Sequence, residues 1–179
     1  MKPDFSHPLD QAPKVSNQRH VRDCLGMFAT GVTVVTTRTP TGNMVGLTAS
    51  SFNTLSLGPP MVLWSLGLGS TSLSVFKAAQ HFVVNVLESS QLALAKQFAR
   101  PVADRFADVP LHFGHQNLPL IDGALAWFEC ETRAMHEIGD HVLFIGEVQR
   151  CARIDGSPLL FRKGEFAFSK SFGDDTLPI

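Results

Sequence analysis

Residues 44–66 read MVGLTASSFNTLSLGPPMVLWSL. Two apolar runs flank a segment rich in small hydroxylated and amide residues: Thr48, Ser50, Ser51, Asn53, Thr54 and Ser56. The run before it follows the β-branched stretch VTVVTTR (32–38) and the turn sequence TPTGN (39–43), so MVGLTAS (44–50) is the return strand of a hairpin. GPP at 58–60 breaks the chain before the strand MVLWSL. Strands that arrive as hairpins rather than alternating with helices predict an antiparallel sheet.

The same pattern holds outward from this stretch. Upstream, Ser16 or Asn17 caps a helix to about Ala29, with Val21, Cys24, Leu25 and Phe28 on one face and Gly31 closing it. Downstream, GLGSTS (67–72) opens a short helix from about Ser72 to Ala79. HFVVNVL (81–87) is a strand, and Ser89 or Ser90 caps the helix QLALAKQFA. Residues 100–120 mix Pro, Asp and Gly and read as a long surface excursion. ALAWFECETRAMHEI, a tight GD turn and HVLFIGEVQRCARI form a second long hairpin, and GSPLLFRKGEFAFS adds a turn and two short strands. The fold class expected is mainly β, an antiparallel barrel with peripheral α-helices. Residues 1–15 read as a flexible arm, 16–172 as one domain and 173–179 as a tail.

A chain of 179 residues with 44% hydrophobic residues and 14 Phe suits one domain with a substantial core. Only 17% of residues are charged, which suggests that part of the surface is covered by another copy. The net charge of −1 and the lack of a Lys/Arg block exclude a nucleic-acid partner from the expectation. Cys24, Cys130 and Cys151 have no metal or disulfide spacing and read as reduced core thiols of a cytoplasmic protein. His7, His20, His81, His112, His115 and His136 form no evident cluster, so no metal site is expected. The first residues lack the apolar stretch of a signal peptide, and no apolar run is long enough to span a membrane.

Backbone N–H groups and small hydroxyls on a loop can hydrogen-bond a phosphate or the edge of a polar ring without the desolvation cost of a buried charge. A Ser/Thr-rich turn accounts for the same residues. No G-x-S-x-G, HExxH, Walker loop or strand-borne G-x-G-x-x-G is present. GLGSTS precedes a helix, whose N-terminus favours anions, and a barrel would bring both hydroxyl loops to one rim.

GMFATGVTVVTT, GLTASSFNTLSLGPPMVL, FVVNVL, QFA, DRF, GDHVLFIGEV and PLLFRKGEF occur here in the order seen in the flavin reductase-like family, over about Arg19 to Phe168. The chain therefore resembles the small reductase components of two-component flavin monooxygenases. The resemblance implies an FMN-binding split barrel and a homodimer. It also implies a reaction in which NADH or NADPH reduces FMN or FAD, with the reduced flavin passing to a separate monooxygenase. A flavin-binding electron carrier or sensor, without NAD(P)H activity, is the alternative, and a module for a non-flavin ligand is a third.

By the same resemblance, Thr48, Ala49, Ser50, Ser51, Phe52, Asn53 and Thr54 line the flavin, and Ser65 belongs to the same site. Ser70 and Thr71 match the phosphate loop, and Phe98 and Ala99 a pair near the flavin. His141 matches a histidine that approaches the nicotinamide, and Phe161, Arg162, Lys163 and Gly164 the turn lining the pyridine-nucleotide site. No catalytic acid or base is implied. Without the resemblance His141 reads as a solvated turn residue, and the resemblance favours the nicotinamide role; Arg105 reads equally as a surface ion pair or a site-loop residue. Trp64, where a smaller apolar residue is commoner, is expected to narrow the flavin site or stack on it. The chain has no Tyr, and Phe166 stands where the family often has one.

Overall fold

The computed structural model describes Pro13, residues 17–102 and residues 104–168. The expected tail, and the expected arm apart from Pro13, lie outside these.

Helix α1 spans Gln18–Leu25, and Asn17 caps it by accepting the His20 N–H at 3.1 Å. It stops about four residues before the expected end. The Gly26 N–H closes the last turn on the Arg22 carbonyl at 2.9 Å, and Met27 and Phe28 then make tighter i→i−3 bonds. Gly31 does not close the helix; it pairs with Leu160 in a short strand, β1 (Thr30–Gly31). No α1 residue is buried.

The main sheet has seven strands: β2 (Thr33–Arg38), β3 (Met44–Ala49), β4 (Asn53–Leu57), β5 (Pro60–Gly67), β6 (His81–Val86), β9 (Ala126–Ile138) and β10 (His141–Arg153). Their order is β3-β2-β6-β9-β10-β5-β4, with every neighbouring pair antiparallel. Among the described residues the ladder ends at β3 and β4, so the sheet curls without closing through hydrogen bonds. Helix α2 (Leu73–Ala78) follows β5, and α3 (Leu92–Ala99) follows β6. Two three-stranded or smaller sheets complete the fold: β1 with β11 (Leu159–Arg162) and β12 (Glu165–Phe168), and β7 (Leu111–Phe113) with β8 (Pro119–Ile121).

Two differences from the sequence reading matter. NTLSL, read as part of a hydroxyl-rich connection, is strand β4, an edge strand with one half-buried residue. The surface excursion 100–120 contains β7 and the start of β8. The expected hairpins at 32–50 and 124–154 are present, the second turning at Gly139 with φ +61°.

The sheet is covered on both faces because side chains alternate along each strand. On β2, Val35 faces a cluster built around Trp64, Phe76, Phe82 and Phe144. Val34 faces a second cluster with Leu87, Phe98, Ile121 and Leu159. Trp64 is fully buried and stacks on Phe144 at 4.5 Å between ring centroids, which corrects its expected place beside a flavin. A strand buried on both sides must satisfy its own hydroxyls, and β2 does: Thr33, Thr36 and Thr37 donate to the carbonyls of Ala49, Pro119 and His81. Of the three cysteines only Cys130 is a core thiol; Cys24 and Cys151 are exposed. Burial pushes the Cys130 thiol up to about 12, so it stays protonated.

Candidate active site

The rim of the sheet at the β3–β4 corner carries a cleft of about 350 Å³. Leu47 and Thr48 of β3 and Leu66 of β5 form its floor, with Val32 beside them. Phe98 and Ala99, at the end of α3, make one wall, and Phe161 and Phe166 of the β11–β12 hairpin make the other. Ser50, Ser70 and Arg105 stand at the mouth. Among the described residues Arg105 is the single ionisable side chain lining it.

Local sequence explains the placement. Gly46 lets α3 lie flat on β3, since a Cβ there would meet the Phe98 ring at 2.7 Å. The Thr48 hydroxyl donates to the Ala95 carbonyl at 2.7 Å and ties strand to helix. Phe98 packs edge-on against Phe106 at 5.0 Å, which holds the following loop and Arg105 in place. The Arg105 guanidinium donates to the carbonyls of Arg100 (3.0 Å) and Gly46 (3.1 Å) and to the Ser72 hydroxyl (3.3 Å). Those partners are neutral, so Arg105 is a cleft residue rather than half of a surface ion pair.

A second, larger cleft of about 1140 Å³ adjoins the first and shares Ser50 and Phe161 with it. One side is the end of α1 and the residues after it, including Arg22, Asp23, Leu25 and Phe28. The other is the β11–β12 turn, Arg162, Lys163 and Gly164. Lys163 and Gly164 have φ of +54° and +82°, the left-handed pair of a tight hairpin turn. The Lys163 N–H donates to the Gly26 carbonyl at 2.9 Å and anchors that turn on α1. The Thr30 hydroxyl, also in this cleft, is buried with no hydrogen-bond partner among the described residues. A buried orphan hydroxyl is costly unless a ligand engages it.

Thr48, Ser70, Phe98 and Ala99 thus line the first cleft, Ser51 and the Arg162–Gly164 turn the second, and Ser50 and Phe161 both. The Ser51 hydroxyl is already engaged: it donates to the Ser65 carbonyl (3.1 Å) and accepts the Ser65 N–H (2.9 Å), pinning the β3–β4 corner to β5. Ser65 lines neither cleft. Ala49 is buried and its carbonyl accepts from Thr33. Phe52 packs on Phe128 at 5.5 Å, and Asn53 and Thr54 are exposed on β4; none of the three lines either cleft. Thr71 opens onto a neighbouring groove beyond Arg105. His141 begins β10 opposite Gly67, half exposed, with Nδ1 2.7 Å from the Asp140 carboxylate, and lines neither cleft. That contact with His141 holds the Asp140 carboxyl below its ordinary value.

The sequence reading did not single out Thr30, Val32, Leu47 or Leu66. Apolar cleft residues carry no signal that separates them from core. Thr30 follows a helix as a turn residue would.

The first cleft suits an aromatic heterocycle bearing a polar tail, with apolar walls for a ring, neutral hydroxyls at the edge and Arg105 at the mouth, and the second adds the cations Arg22, Arg162 and Lys163. Residues 25–169 match the flavin reductase like domain family. An FMN reductase (NADH), SmoA, of Agrobacterium fabrum is 44% identical over 154 residues, covering 86% of this chain and 87% of that protein. The reductase component of a flavin-dependent trigonelline monooxygenase from Acinetobacter baylyi is 37% identical, covering 88% of this chain but 51% of that protein, so the chain spans about half of it. Among solved structures, an NADH:FAD oxidoreductase of Streptomyces globisporus superposes with a TM-score of 0.81 at 36% identity, covering 89% of this chain and 95% of that one. The chain belongs to the flavin reductase-like family.

Proposed function

From that membership we propose that the chain is an NAD(P)H:flavin oxidoreductase. It supplies reduced FMN or FAD to a separate monooxygenase component. The observation that carries this reading is the pair of clefts joined at Ser50 and Phe161. A planar ring in the first cleft and a second ring entering from the other can meet face to face at that junction. A dihydronicotinamide bound there would supply hydride to a flavin ring, chemistry that would reside in those two groups rather than in a side chain.

The protein's share is alignment and electrostatics. Thr48, Ser50 and Ser70 with their neighbouring backbone hold the flavin's polar edge and ribityl chain, Phe98, Ala99 and Phe161 bound its ring, and Arg105 with Ser70 and Thr71 takes the phosphate. Ser51 and Ser65 act through the corner they pin, and Ala49, Phe52, Asn53 and Thr54 set its course. Arg162 and Lys163 meet the phosphates of the nicotinamide nucleotide, and Phe161 and Gly164 shape its path. His141 aids the nicotinamide's alignment.

The finer architecture belongs to the same proposal: residues 16–172 form one split-barrel domain that works as a cytoplasmic homodimer. The uncovered β4 edge and the exposed Leu25 and Phe28 support a second copy. Among the described residues no helix is long and apolar enough to cross a membrane.

The test is steady-state oxidation of NADH and of NADPH by the purified chain, with and without added flavin. Turnover that rises with added FMN or FAD is the expected result. A protein that binds flavin yet oxidises neither nucleotide would instead be a carrier or sensor.

A further inference from the structure

The first cleft does not end at Arg105. A groove of about 460 Å³ continues beyond the guanidinium, lined by Met44, Thr71, Ser72, Val102 and Asp104, with Arg105 common to both spaces. Arg105 is held in a fixed direction by three neutral acceptors, and no carboxylate pairs with it among the described residues. A pinned, uncompensated cation at the waist between two cavities is suited to a bridging phosphate or diphosphate.

The far groove has its own recognition chemistry. Met44 and Val102 give it apolar surface for a flat ring. The Asp104 carboxylate accepts the Phe106 N–H through Oδ1 at 2.8 Å, which leaves Oδ2 for hydroxyls of a sugar. A mononucleotide flavin reaches its end at Arg105 and leaves the groove empty. A dinucleotide flavin continues into it.

We propose that this chain's preferred flavin is FAD, with the diphosphate at Arg105 and the adenosine half in the Met44–Val102–Asp104 groove. The proposal rests on the reading of the first cleft as the flavin site. The groove and the α1 cleft share no lining residue among the described residues, so adenosine in the groove leaves the nicotinamide cleft free.

The experiment is a fluorescence titration of the full chain with riboflavin, FMN and FAD, repeated on Val102→Trp and Arg105→Met. FAD should bind about tenfold more tightly than FMN, and Val102→Trp should weaken FAD about tenfold while leaving FMN within about twofold. Arg105→Met should weaken FMN and FAD alike and leave riboflavin unchanged, a difference that loss of folding would not produce. FAD binding no tighter than FMN, or equal shifts of both on Val102→Trp, overturns the proposal while leaving the flavin site standing. Failure of all three flavins to bind overturns the flavin reading beneath it as well.

Discussion

His141 is held by Asp140 at the start of β10, with its Nε2 on the side of Gly67, whose added Cβ would lie 3.7 Å away. It touches the base of the 67–72 loop rather than either cleft, so its effect on the reaction is one of alignment. His141→Ala should raise KM for the nucleotide by up to about tenfold, ~1.4 kcal/mol, with kcat nearly unchanged. Equal falls in kcat and kcat/KM, at constant KM, would remove His141 from the nucleotide's path. Asn85 shows the opposite kind of polar residue, one used wholly for the fold. It is fully buried, donates to the Val34 carbonyl (2.9 Å) and the Thr36 hydroxyl (3.2 Å), and accepts the Ile121 N–H (2.9 Å). Asn85→Ala removes the acceptor of the buried Ile121 N–H and the donor to the Val34 carbonyl, while Thr36 keeps its bond to Pro119, at a cost of about 2–4 kcal/mol in denaturant unfolding. A loss below about 0.5 kcal/mol would mean that water replaces the amide there.

The elements differ in how far the sequence revealed them. VTVVTTR, MVGLTAS and the long pair at 124–154 declare themselves through β-branching and turn residues, and those hairpins form where expected. Strand β4 does not, because an exposed edge strand has no buried face to write an apolar alternation. Strands β7 and β8 are three residues each, too short for a period to show. Residue chemistry made the cleft legible only on its hydroxyl side, at Thr48, Ser50 and Ser70; Phe98, Ala99 and Phe161 were named by the family resemblance, and Val32, Leu47 and Leu66 were not, because contacts between distant elements bring them to the cleft. The connection from β6 to α3 was also read only in part. The sequence named Ser89 or Ser90 as the cap, whereas Glu88 caps the turn, accepting the Ser90 N–H and the Ser89 hydroxyl, both at 2.6 Å, while Gln91 accepts the Glu88 N–H. These bonds lower the Glu88 carboxyl from 4.5 to about 2, the hydrogen bond from the Ser89 side chain first among them. Because the folded value is the lower one, the stabilisation is fully present above the unfolded value and is lost as pH falls from about 4.5 towards about 2. Over that window the melting temperature of the natural chain should fall more steeply than that of Glu88→Gln. Parallel profiles would show that the cap adds nothing pH-dependent.

At the scale of the whole molecule, the larger cleft carries exposed apolar side chains. Leu25 and Phe28 are 70% and 74% exposed on its α1 side, and Leu57 on the free β4 edge is 90% exposed. An amphipathic helix with no buried residue has an apolar face without a partner, and the low charge of the chain fits a surface designed to be covered. In the proposed homodimer a second copy covers this face, and the nucleotide cleft is then deepened by assembly as well as by folding. Assembly and activity should therefore be lost together. On dilution, sedimentation velocity should show dimers giving way to monomers, with specific activity falling over the same concentration range. Phe28→Asp should move that range upward by about tenfold or more, since it puts an unpaired charge into a buried apolar contact. The thermal unfolding of the isolated monomer should change little, because the residue is exposed there. A natural chain that sediments as a monomer at full activity would show that the α1 cleft works from one chain alone, and the exposed apolar face would then belong to the nucleotide.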